Sequence, residues 1–179
     1  MARKVGTIHL HLGRAPGCGQ VLAREVRMKP STLLRIGSAI SLLHFVGHTA
    51  GIPWTPSDDP GSTSVLSAMK SYRFDVTGVE RTYWDFYLGF GLIISVYLLV
   101  QALALWQLGT MSRKDAISVR PLVALFGLGS VANAILAWKF FFSVPLVLAI
   151  AVSLCLGLAL TAAKSRHPSE ETSPTKARI

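Results

Sequence analysis

Charge is scarce and one-sided in this chain. Only 15% of its 179 residues are charged, and 9 Asp and Glu stand against 18 Lys and Arg. Cysteine is rarer still. Cys18 lies in the N-terminal tail and Cys155 in the middle of an apolar block, a separation that argues against a disulfide. There is no CxxC and no Cys/His spacing of a zinc site. Also missing are a nucleotide-binding glycine loop, a nucleophile elbow, a c-type haem CxxCH and any internal repeat. Residues 1–27 contain no apolar run of about 7–15 residues, which excludes a signal peptide.

What is present is hydrocarbon. Hydrophobic residues make up 51% of the sequence and the mean hydropathy is +0.47. They come in long blocks rather than in alternation, which is the pattern of membrane-spanning helices. The expected fold is all-α, a four-helix transmembrane bundle over residues 30–163 with spans at about 33–52, 84–108, 120–141 and 143–163. Pro121 falls in the first turn of the third span, where its missing N–H is harmless. The third and fourth spans follow so closely that a tight antiparallel hairpin is expected. Residues 1–29 read as a disordered basic extension and 164–179 as a disordered polar tail. Met28 opens a more usual membrane-protein start, so residues 1–27 read as a start-site artefact or a dispensable tail.

The net charge of +9 raises the question of nucleic acid. The basic residues, however, flank the apolar blocks, as the positive-inside rule requires, and no nucleic-acid partner is expected. With the N-terminus in the cytoplasm, 14 Lys and Arg fall on the cytoplasmic side and 4 (Lys70, Arg73, Arg81, Lys139) on the other. That asymmetry predicts an inner-membrane protein with both termini inside. Arg35, in the first turn of span one, is expected to snorkel to the headgroups. Residues 53–83 then face outward. Within them Val65, Leu66, Met69 and Tyr72 recur at helical spacing, predicting a short amphipathic helix with N-caps from Ser62, Thr63 or Ser64 and a stop at Gly78.

Two histidines, His44 and His48, sit four residues apart in span one, so they share a face. That face reads Gly37, Ile40, Ser41, His44, Gly47, His48, Gly51, small or polar almost throughout, and is expected to turn inward. Ile36, Leu42, Leu43, Phe45 and Val46 form the lipid face. Gly47 and Gly51 form a small-xxx-small pair for helix approach. By helical rise, His48 lies about 6 Å and His44 about 12 Å below Ile52. Asp85 and Asn133 fall in the same outer half on the other spans, with Glu80 just above Asp85, so one pocket in the outer half is expected. Its candidate catalytic or metal residues are His44, His48 and Asp85, with Glu80 as a further oxygen ligand. Candidate ligand-binding residues are Glu80, Arg81, Tyr83, Trp84, Tyr87 and Asn133. A His pair at i, i+4 with a carboxylate suits metal binding, proton shuttling or acid–base work. No HExxH general base lies between the histidines. Taken singly, each residue also suits plain helix–helix hydrogen bonding or helix capping.

The segments "HFVGHTAGIPWTP" and "MKSYRFDVTGVERTYWDFYLGFGL" resemble a family of small bacterial integral membrane proteins with a four-span layout, over about residues 30–145. "RTYWDFYLGFG" is the most specific part, and the N-terminal extension lies outside. The resemblance implies that His44, His48, Arg81, Tyr83, Trp84, Asp85 and Tyr87 belong to a shared pattern, and it implies no activity. DoxX-like and sterol-isomerase-like proteins are similar in layout alone, a weak warrant for function. The leading expectation is a module that binds membrane lipid, another membrane protein or a second copy of itself. Its rivals are a membrane-embedded metal, haem or acid–base enzyme acting on a lipophilic substrate, and a proton-coupled carrier. No cofactor follows from the sequence.

Overall fold

The computed structural model describes residues 28–51 and 58–164. The expected order or disorder of residues 1–27 and 165–179 lies outside them. The described chain is mostly helical: α1 (Pro30–Ala50), α2 (Pro60–Ser71), β1 (Arg73–Val76), β2 (Val79–Thr82), α3 (Tyr83–Met111), α4 (Arg120–Phe140) and α5 (Ser143–Lys164). Three of these helices, α3, α4 and α5, are long and apolar enough to cross a membrane. At 21 residues α1 is as long as α4 but less apolar, because Arg35, two histidines and three serines interrupt it.

Helix α1 packs between α3 and α5, and α5 packs between α1 and α4; α3 and α4 touch at few positions although they are consecutive. The close-packed core lies where α1 begins, α3 ends, α4 begins and α5 ends. Leu33 and Leu34, Leu105 and Leu108, Val119 and Val123, and Val152, Leu156 and Ala159 meet there. Small residues let the backbones approach. A Cβ on Gly109 would lie 3.3 Å from the Ser31 carbonyl oxygen and 3.4 Å from Leu34 Cβ, so α1 rides directly on the α3 backbone. At Gly37 the corresponding atom would sit 3.6 Å from both Leu105 and Cys155, in ordinary contact with α3 and α5 together. Most other apolar side chains point outward, as expected where hydrocarbon rather than water surrounds the helices. Arg35 holds its guanidinium 4.5 Å from the Trp106 ring centroid, a cation–π contact at the end of the span.

A helix, α2, does cover the segment read at helical spacing, though none of its residues is buried and its cap differs from the expected one. Asp59, not a serine, accepts from the Ser62 N–H at 2.9 Å, and Pro60 takes the first turn. The helix stops at Ser71, well before Gly78. Gly78 instead turns a β-hairpin, a departure from the all-α expectation. Thr77 (φ 55°) and Gly78 (φ 85°) are both left-handed, the requirement of a type I′ turn. The register pairs Arg73 with Thr82, Phe74 with Arg81, Asp75 with Glu80 and Val76 with Val79. Alternation is weak in this segment because little of it is buried, so its strand period is masked by charged residues.

Candidate functional site

Thr82 ends β2 and begins α3. Its hydroxyl accepts from the Asp85 N–H at 3.1 Å, and Asp85 Oδ2 accepts from the Thr82 N–H at 2.8 Å and from its hydroxyl at 2.9 Å. This reciprocal capping box fixes where α3 starts. Aromatic rings bind the hairpin to it. Phe74 lies 4.9 Å from Tyr83 and 5.7 Å from Phe86, and Tyr72 lies 5.7 Å from Tyr83, centroid to centroid. On the other side Lys70 of α2 sits 5.0 Å over Trp84, which leans on Tyr87 at 5.6 Å. The "RTYWDFY" segment is thus a joint: it caps α3 and fastens α2 and the hairpin to it.

The histidines separate in role. His48 Nε2 donates to the Gly91 carbonyl at 3.0 Å, so its N–H tautomer is set by the bond. The neighbouring Thr49 hydroxyl donates to Ser95 Oγ at 3.0 Å. Farther along the same α1–α3 seam, Gln101 Nε2 donates to Ser41 Oγ at 3.1 Å and the Ser38 hydroxyl to the Ala102 carbonyl at 2.7 Å. His44 is half-buried and makes no hydrogen bond among the described residues. Gly47 is exposed, with open space around it, so the close-packing stripe on α1 ends at Ser41 and the proposed Gly47/Gly51 approach is not made.

The expected single pocket does not form. Asp85 is six residues, about 9 Å, up α3 from the Gly91 carbonyl that holds His48, and its carboxylate is engaged by Thr82. Asn133 is exposed on α4, a helix separated from α1 by α5. Glu80 is exposed on the hairpin and lies 3.5 Å from Arg73, both side chains 69% accessible, a surface pair of little energetic weight. Among the described residues, no group of three or more His, Cys, Asp or Glu is placed to hold a metal ion.

A different concavity is present. Arg81, Asp85, Phe86, Gly89, Phe90 and Ile93 line an open groove of about 250 Å³ along the outer face of α3. Phe86, Gly89, Phe90 and Ile93 recur at i, i+3, i+4 and i+7, one helical face, and Gly89 forms its floor with nothing near the position a Cβ would take. The charged pair stands at its upper end. Arg81 gives one N–H to the Glu80 carbonyl at 2.8 Å. Four residues of this lining lay outside the sequence expectation, although the phenylalanine–glycine spacing carries the signal. The α1–α3 seam was legible too, in Ser95, Ala102 and Gly109 at seven-residue intervals, each a small residue and each buried. Comparison with family models, curated proteins and solved structures finds no match to this chain.

Proposed function

We propose that the chain is a four-span, non-catalytic membrane module that holds a phospholipid against the first three turns of α3. In this reading α1 is the fourth span and both termini lie in the cytoplasm, as the 14-to-4 distribution of basic residues favours. The observation that carries the reading is the groove itself. A cation and an anion, Arg81 and Asp85, stand at the interfacial end of an apolar channel floored by Gly89. Arg81 offers a forked donor set suited to a lipid phosphate. Phe86, Phe90 and Ile93 offer an acyl chain more contact than a smooth helix face does. The histidines act in the seam: His48 as a staple between helices, His44 as its unbonded neighbour.

The test is retention of lipid by the full chain through detergent exchange, read by native mass spectrometry. Gly89→Trp fills the floor and Arg81→Ala removes the phosphate donor. Each is expected to strip a bound phospholipid that the wild type keeps. Retention of lipid by both variants at wild-type occupancy would sink the assignment of this groove.

A further inference from the structure

Asn133 has no reason to be where it is in a single copy of this protein. It lies on α4 about 20 Å from Arg120 and about 10 Å from Phe140, which is well inside the hydrocarbon if α4 spans. Its side chain is exposed and makes no hydrogen bond among the described residues. A carboxamide facing lipid leaves two N–H donors and a carbonyl acceptor unsatisfied, a cost the bilayer does nothing to relieve. Every other amide or histidine bond noted above is intramolecular and faces the α1–α3 seam; Asn133 points away from it.

The surroundings of Asn133 suit helix association. Val123, Ser130 and Ala137, at seven-residue intervals, turn toward α5 and are buried. Leu122, Gly129, Asn133, Leu136 and Phe140 follow the flank beside that stripe at spacings of seven, four, three and four, and all are exposed. Gly129 has no atom near its missing side chain, so a second helix can approach the backbone one turn from the amide.

We infer that this flank of α4 is a homodimer interface in which Asn133 of one copy hydrogen-bonds the partner's Asn133. The occupant follows from chemistry. An Asn side chain is its own complement, donor to acceptor in both directions, and a two-fold axis brings a residue against itself. A lipid acyl chain satisfies neither group. The interface is on the opposite end of the helix row from the α3 groove and does not depend on that groove's occupant.

The experiment is step counting by single-molecule photobleaching of the full chain in phosphatidylcholine vesicles at low protein-to-lipid ratio. Two steps are expected for the wild type. Asn133→Leu is expected to weaken association about 3- to 18-fold, the range of interhelical hydrogen bonds in membranes, while Asn133→Gln retains it. Because Asn133 is exposed, neither change disturbs the fold of one copy. A second readout locates the face. In a Cys18→Ser, Cys155→Ala background, Gly129→Cys is expected to form an intermolecular disulfide on mild oxidation, and Leu128→Cys, 100° around the helix, is not. One-step bleaching of the wild type, unchanged association in Asn133→Leu, or equal cross-linking at 128 and 129 would each overturn the inference.

Discussion

His44 and His48 stand one turn apart, yet replacing each by phenylalanine is expected to affect stability differently. His48 donates across 3.0 Å to a carbonyl on α3, and its ring is half-buried. Phenylalanine keeps an aromatic ring there and removes the donor. The acceptor, the Gly91 carbonyl, sits within α3 and keeps its place in the helical ladder, so no acceptor is orphaned by the change. The loss is therefore that of one interhelical hydrogen bond in a membrane, about 0.6 kcal/mol on average and about 1.7 at most. His44 makes no such bond, so exchanging its imidazole for a hydrocarbon ring removes a polar group without partner. His44→Phe is expected to be neutral or stabilising by up to about 1 kcal/mol. Reversible unfolding of the full chain in mixed micelles, by titration with dodecyl sulfate, reads both. A greater loss for His44→Phe than for His48→Phe would refute the division of roles. So would a loss above about 3 kcal/mol for His48→Phe, which one bond of this kind cannot supply.

Three further outcomes follow from local geometry. Gly109→Leu is expected to cost about 1–3 kcal/mol in the same assay, because its side chain must enter the space of the Ser31 carbonyl and Leu34, whereas Gly109→Ala asks for a shift of a few tenths of an ångström. Thr77→Asn is expected to slow hydrogen exchange of the hairpin amides severalfold, since Asn tolerates φ 55° better than a β-branched residue and Asn-Gly is the preferred type I′ pair. The third concerns acid. The Ser118 hydroxyl, then the Ser118 and Ile117 N–H groups, hold the Asp115 carboxyl below the usual carboxylate range. A depressed folded pKa means that its stabilisation is complete above the unfolded value near ~3.9 and is lost as pH falls through the lower folded one. Asp115→Ala should therefore destabilise at pH 7, with the gap to wild type closing below about pH 4; a gap that widens on acidification would contradict the sign.

The helices were legible because hydropathy reports on length and burial in hydrocarbon, and those set where α3, α4 and α5 run. Pro121 and the short connection at Phe141 and Phe142 mark the α4–α5 hairpin just as clearly. The β-hairpin was not legible. "RFDVTGVERT" is almost wholly exposed, so no buried face imposes a period of two, and its turn is made by Thr-Gly rather than Asn-Gly. The misplaced pocket has a different cause. The seam itself was read from the sequence: His48 does meet α3, at Gly91, in the half of that helix that begins at Tyr83. Rotation and neighbour order were not readable. Counting Asn133 and His48 to a similar height by helical rise says nothing about α5 lying between their helices. Asp85 shows the limit in one residue. Its place in the first turn of α3 fits a ligand, a cap or an anion at a helix dipole equally well, and only the positions of the Thr82 N–H and hydroxyl decide for the cap.

The two ends of the bundle, along the helix axes, are held by different forces, and that difference bears on the proposed binding. At one end, leucines, valines and alanines from four helices interlock. At the other, α1 meets α3 through side-chain hydrogen bonds, while Gly47 is left open. In hydrocarbon, apolar surface gains nothing by leaving lipid, so adhesion comes from close packing and from polar bonds. The interlocked end has both dense packing and small residues; the other end has mainly the bonds. The hydrogen-bonded end is therefore where helix faces remain available, and the groove under Arg81 opens there. The hairpin and α2 are tied by aromatic and cation–π contacts to α3, the element that carries that groove, so they brace its Arg81 end without covering it. A close-packed base with a braced, open rim is the arrangement the proposed lipid-holding role requires: rigidity where the helices are fixed, and exposed, shaped surface beside the hairpin.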